Sequence, residues 1–170
     1  MKKIEFDAPT LYVLGFPRIT IKSNKVFIGK EFRLNSYPYG IGNNYGSKIT
    51  VCENANLHIG NNSGISNAII YCYKEIFIGD HVNIGDGTMI CDTDFHSINW
   101  QDKREGLDVK KQKASSVHIG NYVFIGARSI VLKGVTIGDK SVIGAGSVVA
   151  KDIPEGEIWA GNPIRFIRKI

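Results

Sequence analysis

The chain has 170 residues, 43% of them apolar and 22% charged, with a formal net charge of +5. That is the length of one domain, residues 1–170, with enough apolar content for a continuous core. It holds no apolar run near the roughly twenty residues needed to span a bilayer, so no membrane insertion is expected. The opening MKKIEFDAPT lacks the long apolar stretch of a secretion signal, and a cytoplasmic location is expected. Lys and Arg gather in one polar segment and at the C-terminus with few aromatics interleaved, a poor pattern for nucleic acid. It suits either a compact phosphorylated ligand or an ordinary solvated surface.

In chain order, residues 1–27 form an amino-terminal strand segment or cap, because LYVLGFPRITI reads as strands. Ile28-Gly29 and Ile41-Gly42 are weak first instances of a six-residue word. It returns as IGNNSG at Ile59, IGDHVN at Ile78, IGDGTM at Ile84 and ICDTDF at Ile90. Ile41 to Ile59 is a step of eighteen, three words; Ile59 to Ile78 is nineteen, so an insertion is expected between Ala68 and Lys74. The phase is lost after His96, where the polar INWQDKREGLDVKKQKASS predicts a projecting loop over 97–117. From Ile119 to Pro154 six words follow without a break: IGNYVF, IGARSI, VLKGVT, IGDKSV, IGAGSV and VAKDIP. Asn162-Pro163 marks the start of a short terminal helix over 162–170.

A period of six fits neither a helix nor a plain strand; it is the signature of a hexapeptide β-helix, an all-β fold. Three flat sides of one hexad each make a coil of eighteen residues, stacked on the next coil at roughly 4.8 Å. Ile119 and Ile137, Ile125 and Ile143, and Val131 and Val149 are then inward columns, and the Gly after the aliphatic is assigned to corner backbone angles that a side chain would resist.

Cys52, Cys72 and Cys91 lack metal-ligand spacing and read as fillers. His96 stands where the next inward aliphatic would fall, flanked by Asp92 and Asp94, polar groups able to orient or charge an imidazole. His58, His81 and His118 are expected to point outward; without a close histidine pair they do not suggest a metal centre, and none is expected.

Three stretches, IGDHVNIGDGTMICDTDFH, VHIGNYVFIGARSIVLKGVTIGDKSVIGAGSVVAKDIPEG and WAGNPIRFIRKI, cover about half the chain and resemble the hexapeptide-repeat O-acetyltransferases. That group includes maltose and galactoside acetyltransferases and many surface-polysaccharide acetyltransferases. The resemblance implies a left-handed parallel β-helix, a homotrimer, and active sites between neighbouring subunits. It implies that His96 is the general base toward a saccharide hydroxyl, with acetyl-CoA as acyl donor. Where the family often carries an orienting acid late in the loop, this chain has Gln112, so Asp92 or Asp94 is the expected substitute. By the same resemblance Ala127, Ala145 and Ala150 line the pantetheine arm, and Lys151, Arg165 and Arg168 meet the nucleotide phosphates. Asn67 and Asp94 are the candidates on the acceptor side, with Ser66 beside Asn67. The expected activity is acetyl transfer to a hydroxyl of a surface polysaccharide or its precursor. An N-acetyltransferase acting on an amino sugar nucleotide and a non-catalytic β-helix scaffold are the alternatives.

Overall fold

The computed structural model describes residues 5–6, 11–37 and 46–170. Their strands wind around a three-sided prism, each side a sheet of parallel strands except where the last strand of the second joins antiparallel. The first sheet stacks Glu5–Phe6, Lys25–Ile28, Asn56–Ile59, Glu75–Ile78, Val117–Ile119 and Thr136–Ile137. The second runs from Leu11–Gly15 through Phe32–Ser36, Gly64–Ser66, Asn83–Ile84, Phe124–Ile125 and Val142–Ile143 to Glu157–Ala160 and Arg165–Lys169. The third stacks Arg18–Ile21, Lys48–Val51, Ile69–Cys72, Met89–Cys91, Ile130–Val131 and Val148–Val149. The predicted columns form: Ile119 pairs with Ile137, Ile125 with Ile143 and Val131 with Val149, all buried.

The position four after each inward aliphatic also faces the interior, and its chemistry explains the preference for small residues there. Ser63, Ser129, Ser141 and Ser147 are buried, and their hydroxyls donate to Gly79 O at 2.9 Å, Gly126 O at 2.8 Å, Pro154 O at 2.7 Å and Gly144 O at 2.5 Å. A buried hydroxyl is tolerated because it has this partner.

The Gly after the aliphatic serves a purpose other than the one expected. At Gly126 the need is close approach: an added Cβ would meet the Ala145 nitrogen of the next coil at 2.5 Å. The left-handed backbone falls two places later, on side-chain-bearing residues such as Asn62, His81, Tyr122 and Lys140, with φ of 55–60°.

The strands expected near the amino terminus belong to the coil itself, since Leu11–Gly15 and Arg18–Ile21 pair in parallel with the strands above them. Ile59 stands on Ile28. Ile41, from which an eighteen-residue step was counted, lies outside the described residues, and the coil from Ile28 to Ile59 is longer than three hexads. The insertion expected between Ala68 and Lys74 resolves into two irregularities. Ile65 to Ile70 is one residue short of a hexad, and Ile70 to Ile78 is two long, the extra residues lying at the Tyr73–Glu75 corner.

The terminal helix expected over 162–170 is a strand instead. Arg165–Lys169 folds back antiparallel on Glu157–Ala160, and Phe166 meets Trp159 edge-on at 5.9 Å. So few residues cannot sustain a helix alone, whereas the aromatic and β-branched side chains find a pleated neighbour to pack on.

Candidate active site

The projecting segment leaves the third sheet after Cys91 and rejoins the first at Val117. Its neck is tied by a Thr93–Ala114 bridge, by Ser115 N donating to Asp92 O at 2.9 Å, and by Asp94 N donating to Lys113 O at 3.0 Å. Further out it carries one short helix, Trp100–Arg104, whose N-cap Asn99 accepts from Gln101 N at 3.1 Å. Asp102, buried on this helix, accepts from the Ser97 hydroxyl and the Lys111 ammonium, both at 2.6 Å. These two bonds hold its carboxyl below the usual carboxylate range.

That bracing brings two arms of the segment together at His96. Ser97 N donates to Asp108 O at 2.8 Å, and one residue away His96 Nδ1 meets Asp108 Oδ2 at 2.6 Å. The hydrogen bond from His96 holds the Asp108 carboxyl below its ordinary value. The imidazole is 58% exposed. With the Nδ1 proton held by a carboxylate, Nε2 is left as the unprotonated nitrogen of the neutral ring, the arrangement a general base needs.

Asp108 is therefore the partner of His96, and neither of the expected substitutes is. Asp92 is fully buried beneath the neck and accepts from the amides of Tyr73, Lys74 and Glu75 at 2.8, 2.7 and 2.7 Å, pinning the irregular corner. Burial pushes its carboxyl up while those three amides pull the other way. Asp94 pairs with Lys133 at 3.1 Å. Gln112 accepts from the Thr93 hydroxyl at 2.7 Å and donates to Val109 O at 3.0 Å.

Of the acceptor-side candidates, Asp94 lies two residues from His96 at the neck. Asn67 is buried in the corner before Ile69–Cys72, accepting from Tyr37 N at 2.7 Å and donating to Asp86 at 2.9 Å. Both Asn67 groups serve the excursion and the corner. Ser66 accepts from Asn35 at 3.2 Å. Two aromatic residues that the sequence reading passed over lie beside the neck. Phe95 packs on Tyr71 with ring centroids 4.8 Å apart. The Tyr71 hydroxyl is pushed up to about 12, chiefly by its hydrogen bond with Cys52.

The residues assigned to the acyl donor fall along both edges of the third sheet. Ala127 and Ala145 stack at the corner entering it, and Ala150 and Lys151 follow its last strand. Val148, Ala150, Lys151, Asn162, Pro163 and Ile164 line a mostly apolar groove of about 210 Å³ with a lysine at its edge. Lys151 Nζ sits 4.9 Å from the centre of the Trp159 ring.

Arg165 and Arg168 are three apart, which on a regular strand would send them to opposite faces. The ladder shifts register: Arg165 pairs with Ala160, Phe166 with Trp159 and Arg168 with Ile158, leaving Ile167 as the extra residue of a bulge. Paired residues share a face, so both arginines lie on the face opposite Trp159.

The remaining histidines point outward as expected. His58 is stacked between Phe27 and Phe77 at 4.7 and 4.5 Å, His118 on Phe77 at 4.5 Å, and His81 on Tyr122 at 4.7 Å. Among the described residues no three His, Cys, Asp or Glu side chains gather in a way that could hold a metal ion.

The family model described as bacterial transferase hexapeptide (six repeats) matches residues 116–151. Protein CapG of Staphylococcus aureus is 44% identical over 95 residues, 56% of this chain and 53% of that protein. A maltose O-acetyltransferase from Clostridium difficile 630 superposes with a TM-score of 0.62 at 31% identity, over 89% of this chain and 70% of that one. The hexapeptide-repeat-containing acetyltransferase VCA0836 from Vibrio cholerae superposes with a TM-score of 0.65 at 28% identity, over 84% of this chain and 72% of that one. A structure of the same enzyme in complex with acetyl-CoA gives 0.59 at 25% identity, over 90% and 70% of the two chains. This chain belongs to the hexapeptide-repeat acetyltransferase family, and its coil is that family's left-handed parallel β-helix. It spans between about a third and just over half of the length of the curated relatives it matches.

Proposed function

We propose that this protein is an acetyl-CoA-dependent O-acetyltransferase that modifies a hydroxyl of a saccharide, working as a homotrimer with its sites between subunits. The observation that carries the reading is the His96–Asp108 pair at 2.6 Å, presented to solvent at the root of a braced segment. Asp108 fixes the tautomer, and His96 Nε2 accepts the proton of the acceptor hydroxyl as its oxygen forms the bond to the acetyl carbon. The carbon–sulfur bond breaks, and the same nitrogen returns the proton to the departing thiolate, so the ring ends neutral. The groove beside Ala150 and Lys151, with Arg165 and Arg168 on one face, supports a donor that joins an apolar arm to phosphates. Acetyl-CoA supplies the activated thioester.

The test is thiol release from acetyl-CoA with a panel of methyl hexopyranosides and amino sugars. Turnover on the hexopyranosides, reduced by about 10²- to 10⁴-fold in His96→Ala, the range for a positioned general base, is the expected result. Turnover on amines alone would make the chain an N-acetyltransferase. No thiol release with either class would leave it a scaffold.

A further inference from the structure

We propose that Tyr71 and Phe95 form a stacking wall of the acceptor pocket, taking the apolar C–H face of a hexopyranose ring and so delivering its hydroxyl edge to His96. The inference rests on the O-acetyltransferase reading above and names how the acceptor is held.

Phe95 precedes His96 in the chain and adopts φ of 63°, the left-handed region that a bulky side chain resists. Such backbones persist where their surroundings over-determine them, and they cluster at functional sites. The left-handed residues at the coil corners have a structural role, since each turns the chain from one sheet to the next. Phe95 turns no coil; it lies on the projecting segment.

Its ring does not offset that strain by burial. Phe95 remains 36% exposed, and its aromatic neighbour Tyr71 meets it tilted by 55°. Two rings in that arrangement leave ring face free on the side away from their contact.

The wall is also rigid. Tyr71 pairs with Thr50 below and Cys91 above on the outer side of the third sheet, and its hydroxyl accepts from the Cys52 thiol at 3.6 Å. The corner that follows is clamped by the three amide bonds to Asp92. A fixed apolar surface beside a few polar groups is the composition of a small-molecule site. The polar groups at hand are His96 and the Asp94–Lys133 pair, which suit hydroxyls around the rim of a pyranose. A face of that ring carries axial C–H bonds for an aromatic surface, while its equatorial hydroxyls project from the edge.

Phe95→Gly separates binding from structure, because glycine adopts the left-handed backbone freely. The variant is expected to melt no lower than the wild type, yet to raise KM for the best methyl hexopyranoside by at least about tenfold, or about 1.4 kcal/mol. KM for acetyl-CoA should stay within about twofold, and Phe95→Tyr should restore acceptor KM. Tyr71→Leu should raise acceptor KM in the same direction. On the wild type, saturation of aromatic protons should transfer to the C–H protons of one pyranoside face, a readout that no variant has to fold to provide.

An unchanged acceptor KM in both Phe95→Gly and Tyr71→Leu, or no transfer to the pyranoside, overturns the wall while leaving the enzyme reading intact. A wild type that turns over no methyl hexopyranoside at all overturns the O-acetyltransferase reading, and the wall with it.

Discussion

Asp108 does for His96 what no residue close to it in sequence does. An imidazole that is 58% exposed rotates and exchanges tautomers freely unless something holds it, and the 2.6 Å contact to Asp108 is the hold. Asp108→Asn removes a hydrogen bond to a charged group, which is stronger than one between neutral groups, so kcat should fall by at least about tenfold. The amide can donate to Nδ1 and so favour the tautomer with its proton on Nε2, which cannot accept one. KM for acetyl-CoA should be unchanged, because the substitution alters how the imidazole is held and not the groove beside Ala150 and Lys151. A purely structural role would lower the melting temperature without this split between kcat and KM. The sequence marked His96 because a hexad count ends there, and it could not mark Asp108. The two are twelve apart in a segment without a period, and their meeting depends on Ser97, Asp102 and Lys111 folding that segment onto itself.

At the scale of elements, the inward strands were readable because each hexad repeats the same local problem and the stack repeats its answer. Corners were less so. The eighteen-residue count from Ile41 to Ile59 was numerically sound, yet Ile28 is the residue beneath Ile59, so the coil between them holds more than three hexads and the count alone could not place its corner. The final strand was misread as a helix because Asn162-Pro163 is a local start signal, whereas the pairing to Glu157–Ala160 is a contact the local pattern does not carry. The bulge in that pairing has a functional edge. Deleting Ile167 should restore a regular ladder and carry Arg168 to the face that holds Trp159, away from Arg165, without altering composition of charge. The expected result is weaker binding of coenzyme A with little change for dephospho-coenzyme A, measured by calorimetry; equal affinities in the deletion and the parent would show that the shared face is immaterial.

For the whole molecule, the prism stacks its coils through nearest-neighbour contacts, as solenoids do. One consequence concerns assembly. The groove beside Ala150 and Lys151, the outer side of Ile69, Met89, Ile130 and Val148, and the root of the projecting segment all border the third sheet. Those four side chains form an apolar column that is half-buried in a single chain. Burial of that column in a homotrimer predicts that sedimentation will give three times the chain mass and that Met89→Glu will shift it toward monomer with loss of turnover. A fully active monomer would remove the shared-site arrangement.

The projecting segment leaves a border of this same sheet between Asp92 and Ser115, its neck tied by bonds such as Ser115 N to Asp92 O at 2.9 Å. At the other border Ser47 N donates to Ser36 Oγ at 3.0 Å. Above and below those knots the stack continues in register. Coil and projecting segment therefore differ in what constrains them: a hexad must agree with the hexads above and below it, whereas the stretch between Asp92 and Ser115 meets the prism at scattered points such as Asp94 on Lys133 and Phe95 on Tyr71. Such a stretch can lengthen, shorten or be exchanged between relatives while the inward columns stay unaltered, so a lineage acquires a new acceptor by changing the stretch that holds His96 and Asp108 together with the few outward residues it touches.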